Sequence, residues 1–166
     1  MKQNIILIGM PGTGKSTVGV VLAKRLGFDF IDCDLLLAKE AGMTLPEILD
    51  KIGIDGFLEM EGRVGAGLRC SRTVIATGGS MVISPEAMAN LKSDGTVVWL
   101  ETRLNELERR IARNPDRGIA ADAGTTVADI YSVREPLYEK YADIRIKCRQ
   151  GVDAVVAQIR SALKEQ

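Results

Sequence analysis

The sequence predicts a three-layer α/β domain built on a five-stranded parallel sheet, and three observations carry that expectation. Five short apolar runs alternate with stretches of helical periodicity along the whole chain, the pattern of parallel strands joined by crossover helices. The first run passes through Gly9-Met10-Pro11-Gly12-Thr13-Gly14-Lys15-Ser16-Thr17 into a helical stretch, and a glycine-rich turn between strand and helix is a ready-made phosphate site. With 46% apolar and 27% charged residues in 166, the chain has material for one sizeable core, so one domain over 1–166 is expected.

The elements follow in order. Residues 4–8 form a short apolar run rich in β-branched side chains, as a strand buried on both faces requires. Val18, Val21, Leu22 and Leu26 recur at helical spacing as far as Gly27, a natural helix stop. A second strand over 28–31 ends in Asp32-Cys33-Asp34, and Leu35, Leu36 and Leu37 open a helix that stops near Gly42. Thr44 reads as an N-cap, with Pro46 in the first turn and Glu47 three residues on. A longer helix is expected over about 56–70, where Phe57, Met60, Val64 and Leu68 fall three and four apart. Its glycines 62, 65 and 67 each cost up to about 1 kcal/mol against alanine in a helix interior. That helix therefore either packs unusually close to a neighbour or is mobile.

Residues 73–77 are a third strand running into Gly78-Gly79-Ser80, and a short helix over 85–91 is capped by Ser84. A fourth strand covers 96–100, and 103–113 is a basic amphipathic helix. Residues 114–125 have almost no large apolar side chain and contain Pro115, Gly118 and Gly124, which predicts a mobile loop. A helix over 127–141 with Pro136 as a kink, a fifth strand over 144–147 and a closing helix over 152–163 complete the chain.

The glycine-rich stretch fits the phosphate-loop pattern G-x-x-x-x-G-K-[ST] without a mismatch and stands between the required strand and helix. Gly12, Thr13, Gly14, Lys15, Ser16 and Thr17 would wrap a nucleoside triphosphate, with backbone N–H groups turned onto phosphate oxygens. Lys15 would reach the β- and γ-phosphates, and the Ser16 hydroxyl would hold Mg²⁺. Other classes fall away on composition. Lys plus Arg and Asp plus Glu number 22 each, so no net field favours nucleic acid or acidic membranes. No apolar run approaches membrane-spanning length, and the first residues lead straight into the first strand, so no signal or transit peptide is expected. Cys33, Cys70 and Cys148 are far apart and read as reduced thiols of a cytoplasmic protein. The chain has no histidine, so any general base is a carboxylate.

Ligands of open parallel sheets bind off the carboxyl ends of the strands, where the phosphate loop, Asp32 and Asp34, Gly78-Gly79 and the tip after the fourth strand lie; Arg117 in the loop and Arg134 on the helix over 127–141 are further candidates. Asp32 and Asp34 follow the second strand; one can sit near Mg²⁺ while the other faces an acceptor, or they merely cap the helix that begins at Leu35. Gly78 and Gly79 are either a plain turn or a place where backbone N–H groups approach an anion closely. Arg117 is either a solvated charge or the arginine of a closing lid over 114–124. Arg134 either pairs with a neighbouring carboxylate or holds a substrate carboxylate through its two-pronged guanidinium.

Taken together these residues resemble the shikimate kinase family, of the nucleoside-monophosphate-kinase-like P-loop fold. The resemblance runs through the phosphate loop, Asp32-x-Asp34, Gly53-x-x-x-Phe57-x-x-x-Glu61, Gly78-Gly79, Arg117 and Arg134-x-Pro136-Leu137-Tyr138. It implies an ATP- and Mg²⁺-dependent kinase phosphorylating a hydroxyl of shikimate, in aromatic amino acid biosynthesis. Asp34 would act on the acceptor hydroxyl as base or orienter, and Asp32 would support Mg²⁺ through water. Glu61, Gly78, Gly79 and Arg134 would bind shikimate within an acceptor segment over about 33–70 and its surroundings. Arg117 would be the lid arginine, and Arg110 would lie against the adenine. The implied partner is a small molecule, with no nucleic acid or membrane, and a monomer is expected.

Three positions depart from the family pattern. The family carries arginine directly after the phenylalanine, where this chain has Leu58; a third glycine usually follows the pair, where it has Ser80; and the lid arginine is followed by Gly118 instead of proline. One charge-assisted contact to a carboxylate is worth about 1.5–3 kcal/mol, so losing it weakens shikimate binding by roughly ten- to a hundredfold. Glu61 also loses a cationic neighbour one turn away. A different small hydroxylated acceptor is therefore the alternative. A nucleotide-dependent switch is disfavoured because no N-K-x-D is present and the only D-x-x-G, Asp50 to Gly53, follows a helix-like stretch. A non-catalytic nucleotide-binding module sits poorly with the presence of Lys15, Asp34 and Arg117 together.

Overall fold

The computed structural model describes residues 3–165. Five parallel strands, β1 (Asn4–Ile8), β2 (Asp29–Asp32), β3 (Thr73–Ala76), β4 (Gly95–Glu101) and β5 (Ile144–Lys147), stand in the order β2-β3-β1-β4-β5. The phosphate-loop strand is thus central, with its neighbours on both sides supplying the rest of the site. Seven α-helices connect and flank the strands: α1 (Lys15–Leu26), α2 (Cys33–Ala41), α3 (Leu45–Gly67), α4 (Pro85–Asp94), α5 (Leu104–Ala112), α6 (Val127–Tyr141) and α7 (Val152–Lys164). Among the described residues no helix is long and apolar enough to cross a membrane.

The side-chain alternation of a strand divides β1 between two cores. Ile5 and Leu7 pack with Val18 and Leu22 of α1 and with Val155 and Ile159 of α7. Ile6 and Ile8 pack on the other face with Met88 of α4, Leu107 of α5 and Tyr138 of α6. Burial on both faces is why β1 has no polar–apolar alternation. A third apolar cluster joins Leu37 of α2 to Ile48, Phe57 and Met60 of α3 and takes in Ala120 from the loop before α6.

Several expectations are refined. The Thr44 cap and the helix over 56–70 belong to one run, α3, in which Thr44 and Glu47 form a complete capping box. The run bends at Gly53, whose φ of 71° and ψ of 179° are not helical, a backbone state that glycine adopts without a Cβ penalty. Of the glycines farther along α3, Gly62 and Gly65 permit close packing, whereas Gly67 has open space around it. A Cβ on Gly65 would come within 2.5 Å of the Met81 sulfur and 2.7 Å of the Ala87 Cβ, so α3 lies directly on α4 and on the 3₁₀ turn Met81–Ile83, an element the sequence did not suggest. Pro136 sits inside a helix that continues across it.

The loop before α6 also holds more structure than its composition implies. Pro115–Arg117 form a 3₁₀ turn, Ile119 and Ala121 pack on the first core and Ala120 on the third. One isoleucine and two alanines suffice to anchor this segment.

Candidate active site

Most of the residues singled out above converge on one cavity at the carboxyl ends of β1, β2 and β3, lined by the phosphate loop, Asp34, Glu61, Gly79, Arg117 and Arg134. The phosphate loop leaves β1 and delivers Lys15 and Ser16 into the first turn of α1. The Lys15 ammonium is buried and donates to the Gly9 carbonyl at 2.7 Å and the Met10 carbonyl at 2.9 Å. Burial pulls its pKa down to about 8, with Asp34 opposing the shift and Arg117 and Arg134 adding to it, so it still carries its charge at neutral pH. Thr13 is buried and its hydroxyl has no protein partner, while Ser16 and Thr17 are exposed at the cavity mouth.

Asp32 caps α2 with one oxygen and keeps the other for the phosphate loop. One carboxylate oxygen, Oδ1, caps α2 by accepting from the backbone N–H groups of Asp34 at 2.9 Å and Leu35 at 3.4 Å. The other, Oδ2, accepts from the Ser16 hydroxyl at 2.5 Å. Asp34 begins α2 beside the cavity, half-buried; burial raises its carboxyl pKa, and the Lys15 ammonium works against that rise.

Glu61 projects from α3 and is 1% exposed. Its Oε2 accepts a short hydrogen bond from the Ser80 hydroxyl, and its Oε1 has no hydrogen-bond partner. Burial raises its pKa to about 7; the Ser80 bond resists the rise, the Asp34 charge adds to it, and Arg134 and Lys15 oppose it. Two carboxylates and two cations therefore share a poorly solvated space.

The Gly78-Gly79 turn fits between these groups only because it has no side chains. A Cβ on Gly78 would collide with Glu61 Oε1 and lie 3.0 Å from Asp34 Oδ1. One on Gly79 would come within 2.7 Å of the Pro11 ring and 3.1 Å of an Arg134 guanidinium nitrogen. The Tyr138 hydroxyl fixes the turn from below by donating to the Gly79 carbonyl at 2.7 Å. Arg134 is buried and donates to the Ala120 carbonyl at 3.1 Å, which ties the loop to α6. It makes no ion pair with a neighbouring carboxylate within 4 Å among the described residues. Arg117, at the end of the 3₁₀ turn, reaches the same cavity from above.

Arg110 stands outside the cavity on α5. It donates to the Gly12 carbonyl at 3.0 Å and to Glu106 at 2.6 Å, so it braces the outer side of the phosphate loop. Leu58 does not line the cavity either. It packs with the apolar cluster of α2 and α3 and borders a separate surface groove with Gly62 and Ile83. Tyr138 and the Ala120 carbonyl are supporting groups that the sequence did not single out; the Arg134 to Tyr138 spacing of four was the available signal. Among the described residues there is no cluster of three or more metal-ligating side chains.

Comparison with known proteins agrees with this architecture. The family model for shikimate kinase matches residues 11–164. A shikimate kinase from Synechococcus sp. (strain RCC307) is 38% identical over 165 residues, spanning 96% of this chain and 84% of that protein. Threonine synthase-like 1 from Pongo abelii is 35% identical over 166 residues, but this chain spans only 22% of its length. Among solved structures, a shikimate kinase from Acinetobacter baumannii in complex with shikimate superposes with a TM-score of 0.90 at 32% identity, covering 99% of this chain and 94% of that one. A phosphate loop at the centre of a five-stranded parallel sheet, matched along nearly its whole length, places this chain in the shikimate kinase family of ATP-dependent kinases that phosphorylate an alcohol group.

Proposed function

We propose that this kinase transfers the γ-phosphoryl of ATP to a hydroxyl of shikimate. The observation that carries this reading is the single cavity in which the phosphate loop meets Asp34, Glu61, Gly79 and Arg134 under Arg117. Phosphoryl transfer needs little covalent help from a protein; it needs charge neutralisation and alignment. Lys15 holds the β- and γ-phosphates. Asp34 accepts the proton of the acceptor hydroxyl as its oxygen bonds to the γ-phosphorus and the bond to the β-phosphate oxygen breaks, leaving ADP. Arg117 neutralises charge on the transferring group. Arg134 and the Gly78-Gly79 backbone receive the acceptor's carboxylate.

The Ser16–Asp32 oxygen pair fits Mg²⁺, a hard cation that keeps several waters and phosphate oxygens and needs few protein ligands. Bound there with ATP, Mg²⁺ would offset phosphate charge as the phosphoryl group moves. Asp32 then has two duties, holding the start of α2 and orienting the Ser16 hydroxyl.

The lid role of 114–124 rests on Arg117 at its tip and on apolar anchoring that comes down to Ile119 and two alanines. Amide hydrogen exchange across this segment should slow when ATP and acceptor are both present. Unchanged exchange would remove closure from the mechanism.

Position 58 does not test the acceptor directly, because Leu58 borders a surface groove outside the cavity. The acceptor is tested on wild type. In a panel of hydroxy and sugar acids, shikimate should be phosphorylated; turnover of another member with none of shikimate would assign a different hydroxylated acceptor.

A further inference from the structure

Two departures from the family pattern, Leu58 and Ser80, bear on the Glu61 carboxylate, one by what it withholds and the other by contact. Leu58, one turn earlier on α3, packs into an apolar cluster and offers Glu61 no charge. The Ser80 hydroxyl supplies the contact instead, donating to Glu61 Oε2. Ser80 is buried, and its φ of −97° and ψ of −1° suit any residue, so the turn does not need a serine for its shape. Its side chain does not cap the 3₁₀ turn that follows. The hydroxyl is therefore spent on Glu61 alone.

The other carboxylate oxygen, Oε1, lies on the Gly78 side of the cavity wall, buried and without a donor. A buried acceptor left unpaired is costly, and such atoms in native proteins call for an explanation. A donor from the bound acceptor would satisfy it. We propose that Ser80 is a positioning residue of the acceptor site, holding the Glu61 carboxylate so that Oε1 accepts a hydrogen bond from a hydroxyl of the bound substrate. This inference rests on the reading above that the acceptor binds in this cavity, and it adds a hydroxyl contact at Glu61 held by Ser80.

The pH behaviour follows from the same geometry. Glu61 faces Asp34 and the Cys33 thiol from α2, Lys15 from α1, and Arg134 and Tyr138 from α6. The Ser80 bond favours the ionised carboxylate against burial. Removing it raises the Glu61 pKa, so the carboxylate is lost at a higher pH on acidification and the acid limb of activity moves upward.

The experiment compares wild type, Ser80→Ala, Ser80→Thr, Glu61→Gln and the Ser80→Ala/Glu61→Gln double variant. Steady-state kinetics are run on shikimate or, if wild type does not turn it over, on whichever member of a panel of hydroxy and sugar acids it does phosphorylate. Ser80→Ala should raise the acceptor KM about tenfold, the size of one lost charge-assisted contact, with the ATP KM unchanged. Its kcat/KM profile should lose activity at a higher pH than wild type, and Ser80→Thr should restore both readings. In the Glu61→Gln background, Ser80→Ala should change neither. The proposal is overturned if Ser80→Ala leaves the acceptor KM unchanged, raises both KM values together, or acts equally with and without Glu61. Failure of wild type on shikimate sinks only the acceptor's name, because the comparison then runs on the panel substrate.

Discussion

Asp34→Asn should lower kcat by about 10² to 10⁴-fold, the usual contribution of a positioned general base, while leaving the fold and ATP binding close to wild type. The substitution keeps the volume and one hydrogen-bonding oxygen but cannot take a proton. Asp34 stands at the start of α2, close to the Gly78 turn, and its carboxyl pKa is raised by burial with Lys15 opposing. Both effects suit a carboxylate that must hold a proton transiently beside a bound hydroxyl. Loss of its charge also removes the group that keeps Lys15 most strongly protonated; the phosphates of ATP take over that part once bound, which is why nucleotide affinity should survive. Calorimetric titration with a non-hydrolysable ATP analogue and steady-state turnover together read the two halves. Wild-type turnover in Asp34→Asn would show that the base assignment is wrong.

Lys15→Ala should cost about 10² to 10³-fold or more in kcat, the scale of removing one donor aimed at developing charge, and should weaken ATP binding as well. The ammonium is already held at the loop by the Gly9 and Met10 carbonyls, so little reorganisation is needed when phosphates arrive. A fold change should not accompany the loss, because the Lys15 stem is replaced at the open end of α1 while Val18 and Leu22, which carry the packing, are untouched. Circular dichroism and turnover on the same preparation separate the two. Retained turnover would mean that another cation serves the γ-phosphate, and Arg117 or Arg134 would be the groups to remove next.

How much of this site was legible in the sequence depends on how local each part is. The phosphate loop is nine consecutive residues whose chemistry is carried by backbone geometry and one lysine, so the pattern between strand and helix sufficed. Asp32 and Asp34 were placed by the rule that ligands bind at the carboxyl ends of parallel strands, and Asp32 caps α2 while still meeting Ser16 because a carboxylate has two oxygens. The Ser80–Glu61 contact was out of reach: it joins residues 19 apart on different elements, and Ser80 stood out only as a departure from a glycine. The bracing of Gly12 by Arg110 spans 98 residues and has no signature in either segment.

The glycines of α3 show the same division. Their helix cost said that something unusual was required there, either close packing or mobility, but composition could not choose between the two. The approach of Met81 and Ala87 to Gly65 and of Ser84 to Gly62 chooses packing at those two positions, while Gly67 has no such neighbour. In the lid, a count of large apolar residues pointed to a loose loop, whereas Ala120 and Ile119 find places in cores formed by distant helices. By itself the sequence determined the strand and helix order, the parallel sheet and the phosphate site, because periodicity and contiguous motifs encode local conformation and local conformation dictates these. Only the tertiary structure decided which oxygen of Glu61 is left without a donor, that Leu58 turns away from the cavity and that Ile119 and its neighbouring alanines anchor the loop over 114–124, because those outcomes depend on which surfaces meet after the chain has closed on itself.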